Sequence, residues 1–203
     1  MGRVGGDGRP LTRPLAALWR RLDVPGHDGC QFVPGEDGWT LHGSAVFMQD
    51  GQVCQLRYEV LADSGFRTRE ALVTGWMGAT AVDLRIRSDG CGAWTAGGVE
   101  QPQLAGCVDV DLGFTPATNF LPVRRLGLEI GEQAQVPAAY LAFPELRLEV
   151  LEQTYRRVSA TDYDYEAPST GYRGTLEFSG QGIVVDYPEL FTLAGGSFSA
   201  GSR

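Results

Sequence analysis

Residues 39–63 read WTLHGSAVFMQDGQVCQLRYEVLAD. Polar and apolar side chains alternate on both sides of Asp50-Gly51, a dipeptide that accepts the positive φ angles of a two-residue hairpin turn. After the turn, Val53, Gln55, Arg57 and Glu59 alternate with Cys54, Leu56, Tyr58 and Val60, giving one strand a wet face and a dry face. The pattern continues in FRTREALVTGWM and TAVDLRIRSDGCGAWTAGG, the latter turning at Asp89-Gly90 with Leu84 and Ile86 opposed to Arg85 and Arg87. It returns in QAQVPAAYLAFPELRLEVLEQTYRRVSATDYDYEA, where Leu146, Leu148 and Val150 oppose Arg147 and Glu149, and in GYRGTLEFSGQGIVVDYPELF. Helix is the competing reading at Pro14 to Leu22, Thr118 to Leu126 and Glu145 to Tyr155. With no low-complexity linker, about ten strands imply a mainly β fold: one large curved antiparallel sheet or open barrel, with little helix. The expected domain is 15–193, between a flexible lead-in, 1–14, and a flexible Gly/Ser-rich tail, 194–203.

Composition supports this class. The chain has 203 residues, 43% of them hydrophobic, with 28 glycines and 11 prolines. That is enough apolar material for a core and suits a turn-rich protein. The net charge of −8 argues against a nucleic-acid partner, which needs a basic face to neutralise phosphates. All 17 basic residues are arginine, as a GC-rich genome would give. No apolar run approaches the roughly 18 residues that span a bilayer, and neither a secretory leader nor a myristoylation pattern opens the chain. The expected location is therefore cytoplasmic, with no membrane span. Cys30, Cys54, Cys91 and Cys107 lack C-x-x-C spacing, so they read as buried reduced thiols and not as a metal or redox site.

Catalytic templates are equally sparse. His27 and His42 are the two histidines, no G-x-S-x-G surrounds a serine, and the glycine-rich phosphate signatures are missing. No metal, no cofactor and no enzymatic activity are expected. His42 reads as a strand-face residue. The exception lies in GCVDVDLGFTPATNFLPVRRLGL, residues 106–128, where Asp109 and Asp111 fall on one face of a strand with Cys107, and Val108, Val110 and Leu112 on the other. Carboxylates two apart on a strand stand roughly 6.5 to 7 Å apart at the backbone, a spacing that suits paired acid–base work. The plainer reading ties them to the turns at Thr115 to Asn119 or to Arg124 and Arg125 in a hub fixed by Pro116 and Pro122. A third reading gives them a ligand headgroup.

The 106–128 stretch, VPAAYLAFPELRLEVLEQTYRRVS followed by YDYE, and GIVVDYPELF together resemble the bacterial family named "putative glycolipid-binding". The resemblance runs from about Trp19 to Phe191 and rests on Asp-x-Asp-Leu, Thr-Pro-x-Thr-Asn, Leu-Pro-x-Arg-Arg-Leu and Asp-Tyr-Pro in that order. It implies one β-rich domain similar to bacterial lipoprotein-carrier folds, with a hydrophobic concavity for lipid. The expected function is a non-enzymatic carrier or sensor for a glycolipid or lipid-like amphiphile, in a monomer or homodimer. A concave face including Trp76, Trp94, Tyr140 and Tyr155 would take the chain, because amphipathic rings suit an amphiphile. Asp109, Asp111, Asn119, Arg124 and Arg125 would form the polar rim, the guanidinium forks bonding headgroup oxygens. The alternatives are a hydrolase or isomerase of a sugar-containing substrate using Asp109 and Asp111, and a dimeric scaffold without ligand.

Overall fold

The computed structural model describes residues 13–198. It begins with a long meander: β1 (Leu15–Arg21), β2 (Gly26–Pro34), β3 (Gly38–Gln49), β4 (Gln52–Asp63), β5 (Thr68–Met77), β6 (Thr80–Ser88), β7 (Trp94–Ala96) and β8 (Val99–Glu100). A central stretch follows: β9 (Asp109–Leu112), α1 (Phe120–Leu126), β10 (Gln133–Gln135), β11 (Ala138–Ala142) and β12 (Arg147–Leu151). The chain then returns through β13 (Thr154–Arg157), β14 (Asp162–Ala167), β15 (Tyr172–Phe178), β16 (Val184–Tyr187) and β17 (Phe191–Gly196).

Fourteen of these strands make one antiparallel sheet in the order β10-β13-β14-β15-β16-β17-β1-β2-β3-β4-β5-β6-β7-β8. Its edges, β10 and β8, do not pair, so the sheet is large and mainly antiparallel but not closed into a barrel. At the β3–β4 hairpin Asp50 and Gly51 adopt φ of 49° and 75°, the left-handed pair that a two-residue turn requires. Pairing then runs unbroken from Gln49–Gln52 to Gly38–Asp63. On β4, Cys54, Leu56, Tyr58 and Val60 are buried, the face their parity selected.

Three expectations change. The first candidate helix is strand β1, because Leu15, Ala17, Trp19 and Arg21 alternate inward with period two and β1 is held between β2 and β17. The 145–155 run is also extended, as β12 and the start of β13. The stretch expected as a flexible tail opens as strand: β17 continues to Gly196, with Leu18 opposite Gly195 and Ala17 opposite Gly196. Residues 1–12 and 199–203 of the expected flexible ends lie outside the described residues.

A second sheet of three strands, in the order β12-β11-β9, accompanies the large one, and its β9–β11 pair is parallel. This small sheet and α1 occupy the inner side of the large sheet, the side expected to stay open. Val110, Leu112, Phe114, Phe120 and Leu121 join one core with Trp19, Phe32, Leu41, Leu56 and Ile86. Val123, Ala138 and Leu151 join another with Tyr155, Tyr165, Leu176 and Phe178. The large sheet therefore curls around β9, α1, β11 and β12, which fill the concavity.

Candidate functional site

The segment that fills the concavity is built from its own punctuation. Thr115 Oγ1 accepts the Ala117 amide at 3.0 Å, and Pro116 leads into a 3-10 turn, Ala117–Asn119. α1 follows directly, with Pro122 in its first turn, where a missing N–H costs nothing. Gly127 ends it in the left-handed conformation at φ 53°, its amide returning to Val123 O. The helix expected within 118–126 is there, only seven residues long.

β9 presents two chemistries on opposite sides. Val110 and Leu112 face the core made with β1–β6. Asp109 and Asp111 face the other way, as their parity required; Cys107 lies before the strand and packs instead in that first core. Asp109 is 1% exposed and ion-paired with Arg125, whose Nε donates at 3.2 Å and whose Nη2 also donates. Burial pushes the Asp109 carboxyl up, and Arg125 offsets part of that rise. Asp111 takes its side-chain hydrogen bond from Thr118, while Arg125 is committed to Asp109. Burial, and then the Asp109 charge, push the Asp111 carboxyl to about 7.

Tyrosines surround Asp111. Its charge helps to raise the phenols of Tyr140, Tyr155, Tyr165 and Tyr187, although burial is the larger cause for each. Tyr155 and Tyr165 are buried with ring centroids 4.9 Å apart. Above them Tyr187 packs 5.9 Å from Tyr165 and 4.9 Å from Tyr172. Asn119 Nδ2 donates to Tyr155 Oη at 2.7 Å, and Tyr165 Oη donates to Gln153 Oε1 at 2.8 Å, which ties α1 to the sheet. Asp111, Tyr140, Tyr172 and Tyr187 keep part of their surface in solvent. The result is a half-open patch of aromatic rings with one carboxyl able to titrate near neutrality.

A second buried polar cluster was not anticipated. Asp28 is fully buried on β2, where Tyr58 Oη donates to it at 3.0 Å and Thr115 Oγ1 also donates. Burial raises its carboxyl to about 6, against the hydrogen bonds of Thr115 and Tyr58 and the charge of Arg21. Arg21 reaches Phe114 O at 3.3 Å, so this cluster anchors the other end of the central segment. The signal was available in GHDGCQFV, where Asp28 shares the dry parity of Cys30 and Phe32. A lone aspartate at such a position marks a buried network.

Residues 16–192 match the profile of the family described as "Putative glycolipid-binding". The chain belongs to this family. A DUF1089 family protein from Pseudomonas aeruginosa has a similar solved structure, at 30% identity and TM-score 0.68, covering 95% of this chain and 98% of that one. A beta-barrel-like protein of domain of unknown function DUF1849 from Brucella abortus shares the fold at TM-score 0.53 and 11% identity, over 91% of this chain and 97% of that one. No curated protein matches the chain.

In this member of the putative glycolipid-binding family, the expected site residues do not share one surface. Asp109, Asp111, Asn119, Arg125, Tyr140 and Tyr155 gather around β9. Trp94 is a core residue whose indole donates to Cys107 O at 2.9 Å. Trp76 lies on the outer face and donates to Gln55 Oε1 at 3.0 Å, because its register partner on β4 is the wet-face Gln55. The guanidinium of Arg124 sits over Phe66, 5.3 Å from the ring centroid. Arg156 and Arg157 separate: Arg156 is exposed, and Arg157 Nη1 donates to Leu128 O at 2.8 Å. His42 is on the strand face, paired with Glu59 at 3.0 Å. Of the thiols, Cys30, Cys54 and Cys107 are buried and Cys91 is exposed, since Cys91 lies in the β6–β7 turn. Among the described residues no group of three or more acidic, histidine or cysteine side chains could hold a metal ion, and no helix is long and apolar enough to cross a membrane.

Proposed function

We propose that the chain is a non-enzymatic carrier or sensor that binds a glycolipid, recognising its sugar at Asp111 and the half-buried rings of Tyr140, Tyr172 and Tyr187. The observation that carries this reading is Asp111 itself, a half-buried residue whose carboxyl lies beside an aromatic cluster. Sugars offer hydroxyl donors to a carboxylate and apolar C–H faces to aromatic rings, so this pairing suits them. Tyr155 and Tyr165, buried beneath, act as a floor whose hydroxyls are already satisfied. The apolar tail adds affinity without specificity, roughly 0.8 kcal/mol for each methylene removed from water.

The same geometry argues against hydrolysis by paired carboxylates. Such chemistry needs a second carboxylate free to act as base or nucleophile, and Asp109 is held by Arg125. The test is a thermal-shift and fluorescence titration with a short-chain alkyl glycoside below its micelle concentration, against a fatty acid of equal chain length. The reading expects a stronger response to the glycoside and its loss in Asp111→Asn. An equal response to both ligands, no response, or an unchanged response in Asp111→Asn overturns it.

A further inference from the structure

The patch beside Asp111 has a polarity that a neutral sugar leaves unused. In the small sheet Asp111, Tyr140 and Glu149 are register partners on β9, β11 and β12, so their side chains leave the same face in one row. Tyr140 leans along that face over Gly113, two residues beyond Asp111, where a Cβ would meet its Oη at 2.7 Å; the glycine leaves room for the ring. Tyr172 and Tyr187 meet at 67° with centroids 4.9 Å apart, as two walls of a corner do. Burial first, and then the Asp111 charge, raise the Tyr187 phenol, and Tyr172 and Tyr140 add to the rise. Three half-buried rings and one carboxyl therefore lie together.

The carboxylates that act on these rings set the sign of the field. After burial, Asp111, Glu149 and Glu145 act on Tyr140, and Glu189 and Asp186 act on Tyr172. Among the described residues Glu145, Asp186 and Glu189 enter no ion pair, whereas Arg125 is committed to Asp109, Arg147 to Glu149 and Arg173 to Glu166. An aromatic ring offers a negative face to a cation, and a carboxylate without an arginine partner offers the counter-charge. The pairing attracts an ammonium and repels a phosphate or carboxylate headgroup. The Asp111 carboxyl, raised to about 7 by burial and then by the Asp109 charge, is only half ionised near neutrality, and a cation beside it favours the ionised form.

We propose that the sugar recognised here is an amino sugar: its ammonium sits among the rings of Tyr140, Tyr172 and Tyr187, with Asp111 as counter-ion. This rests on the reading that the patch binds a glycolipid and adds the charge of the headgroup. A neutral sugar gains hydrogen bonds and ring contacts at the same place; an ammonium gains those of its ring together with the cation–π and ionic contacts.

The experiment is a fluorescence titration of the full chain with three short-chain alkyl glycosides of equal chain length, a glucoside, a 2-amino-2-deoxyglucoside and the N-acetyl form of the latter, each below its micelle concentration. About pH 6.5 keeps the amine charged, and about 0.15 M salt screens the net charge of −8. The amino glycoside should bind about tenfold more tightly than either neutral one. Tyr172→Leu should cut that preference to within about threefold, while Tyr172→Phe, which keeps the ring, should preserve it. Glu36→Gln should leave it unchanged, since it removes one charge from the β2–β3 turn, at the opposite end of the strands from the β16–β17 turn that carries Glu189. Equal binding of the three glycosides overturns this proposal and leaves the glycolipid reading standing; no response to any of them overturns both. A preference that survives Tyr172→Leu, or that falls as far in Glu36→Gln, overturns it too, because the attraction then belongs to the net charge and not to the rings.

Discussion

Replacing Asp111 by asparagine should stabilise the protein at neutral and alkaline pH. Its carboxyl moves from 3.8 to about 7 on folding, with burial as the first cause and the Asp109 charge as the second. At 1.36 kcal/mol per pH unit this sets a ceiling of about 4 kcal/mol. Asp111 keeps part of its surface in water, so screening lowers the realistic figure to about 2 kcal/mol. The sign follows from linkage. An acid whose folded pKa exceeds its unfolded value holds its proton more tightly in the native state, so stability falls as pH rises from about 4 to 7 and stays low above that. Asparagine keeps an acceptor for Thr118 and cannot ionise. Urea unfolding at pH 8 should therefore show a gain of about 2 kcal/mol, roughly 4 to 8 °C in melting temperature, and near pH 4 almost none. If Asp111→Asn is less stable than the parent at pH 8, Asp111 has an ionic partner in the native state and the reasoning fails.

Asp109→Ala should act in the opposite direction, because it breaks the buried pair with Arg125; a loss of about 3 kcal/mol is expected in the same unfolding assay. Asp28→Asn should flatten the stability profile between about pH 4 and 6, since the Asp28 carboxyl, raised to about 6 by burial, carries the same sign as Asp111; an unchanged slope would refute this. Tyr155→Phe should cost about 1 kcal/mol by leaving Asn119 Nδ2 without its acceptor, read as a lower denaturation midpoint at unchanged slope. Under native conditions a thiol reagent should modify Cys91 first and alone, because Cys30 and Cys107 are buried and burial pushes both thiols up, Cys107 to about 11; intact-mass spectra report the adduct count.

The meander was legible because its information is local. Asp50-Gly51 specifies its own turn, and each residue of β4 declares its face by parity with its neighbours. Register across a turn with a bulge is not read from alternation alone, which explains Trp76. The β4–β5 link runs through a tight turn, Phe66 at φ 62°, with a shift of register between Leu61 and Ala62. Only that geometry sets Trp76 opposite Gln55, on the outside. Likewise β17 reaches Gly196 through pairing with β1, a contact from the far end of the chain that three residues of Ala and Gly cannot announce. The polar side of β9 could be read from Asp109 and Asp111, and the Asp109–Arg125 link was among the partners their spacing allowed. That β9 pairs in parallel with β11 and enters the concavity could not be read, because a short strand with one apolar side does not say which apolar surface it meets.

Filling of the concavity limits how a lipid can be held. Val110, Leu112, Phe114, Phe120 and Leu121 are each no more than 1% exposed against the β1–β6 side. Opening that side to an acyl chain would expose side chains whose burial contributes roughly 1.5 to 3 kcal/mol each, about 8 to 15 kcal/mol for the five. An acyl chain of about ten carbons returns near 8 kcal/mol before its own ordering cost. Displacement is therefore unfavourable, and a ligand does better along the opposite margin of the same segment, where Asp111, Tyr140, Tyr172 and Tyr187 already keep contact with water. A β-rich fold whose interior is completed by its own chain leaves no empty barrel, and on the proposed reading recognition then falls to the polar edge of the segment that completes it.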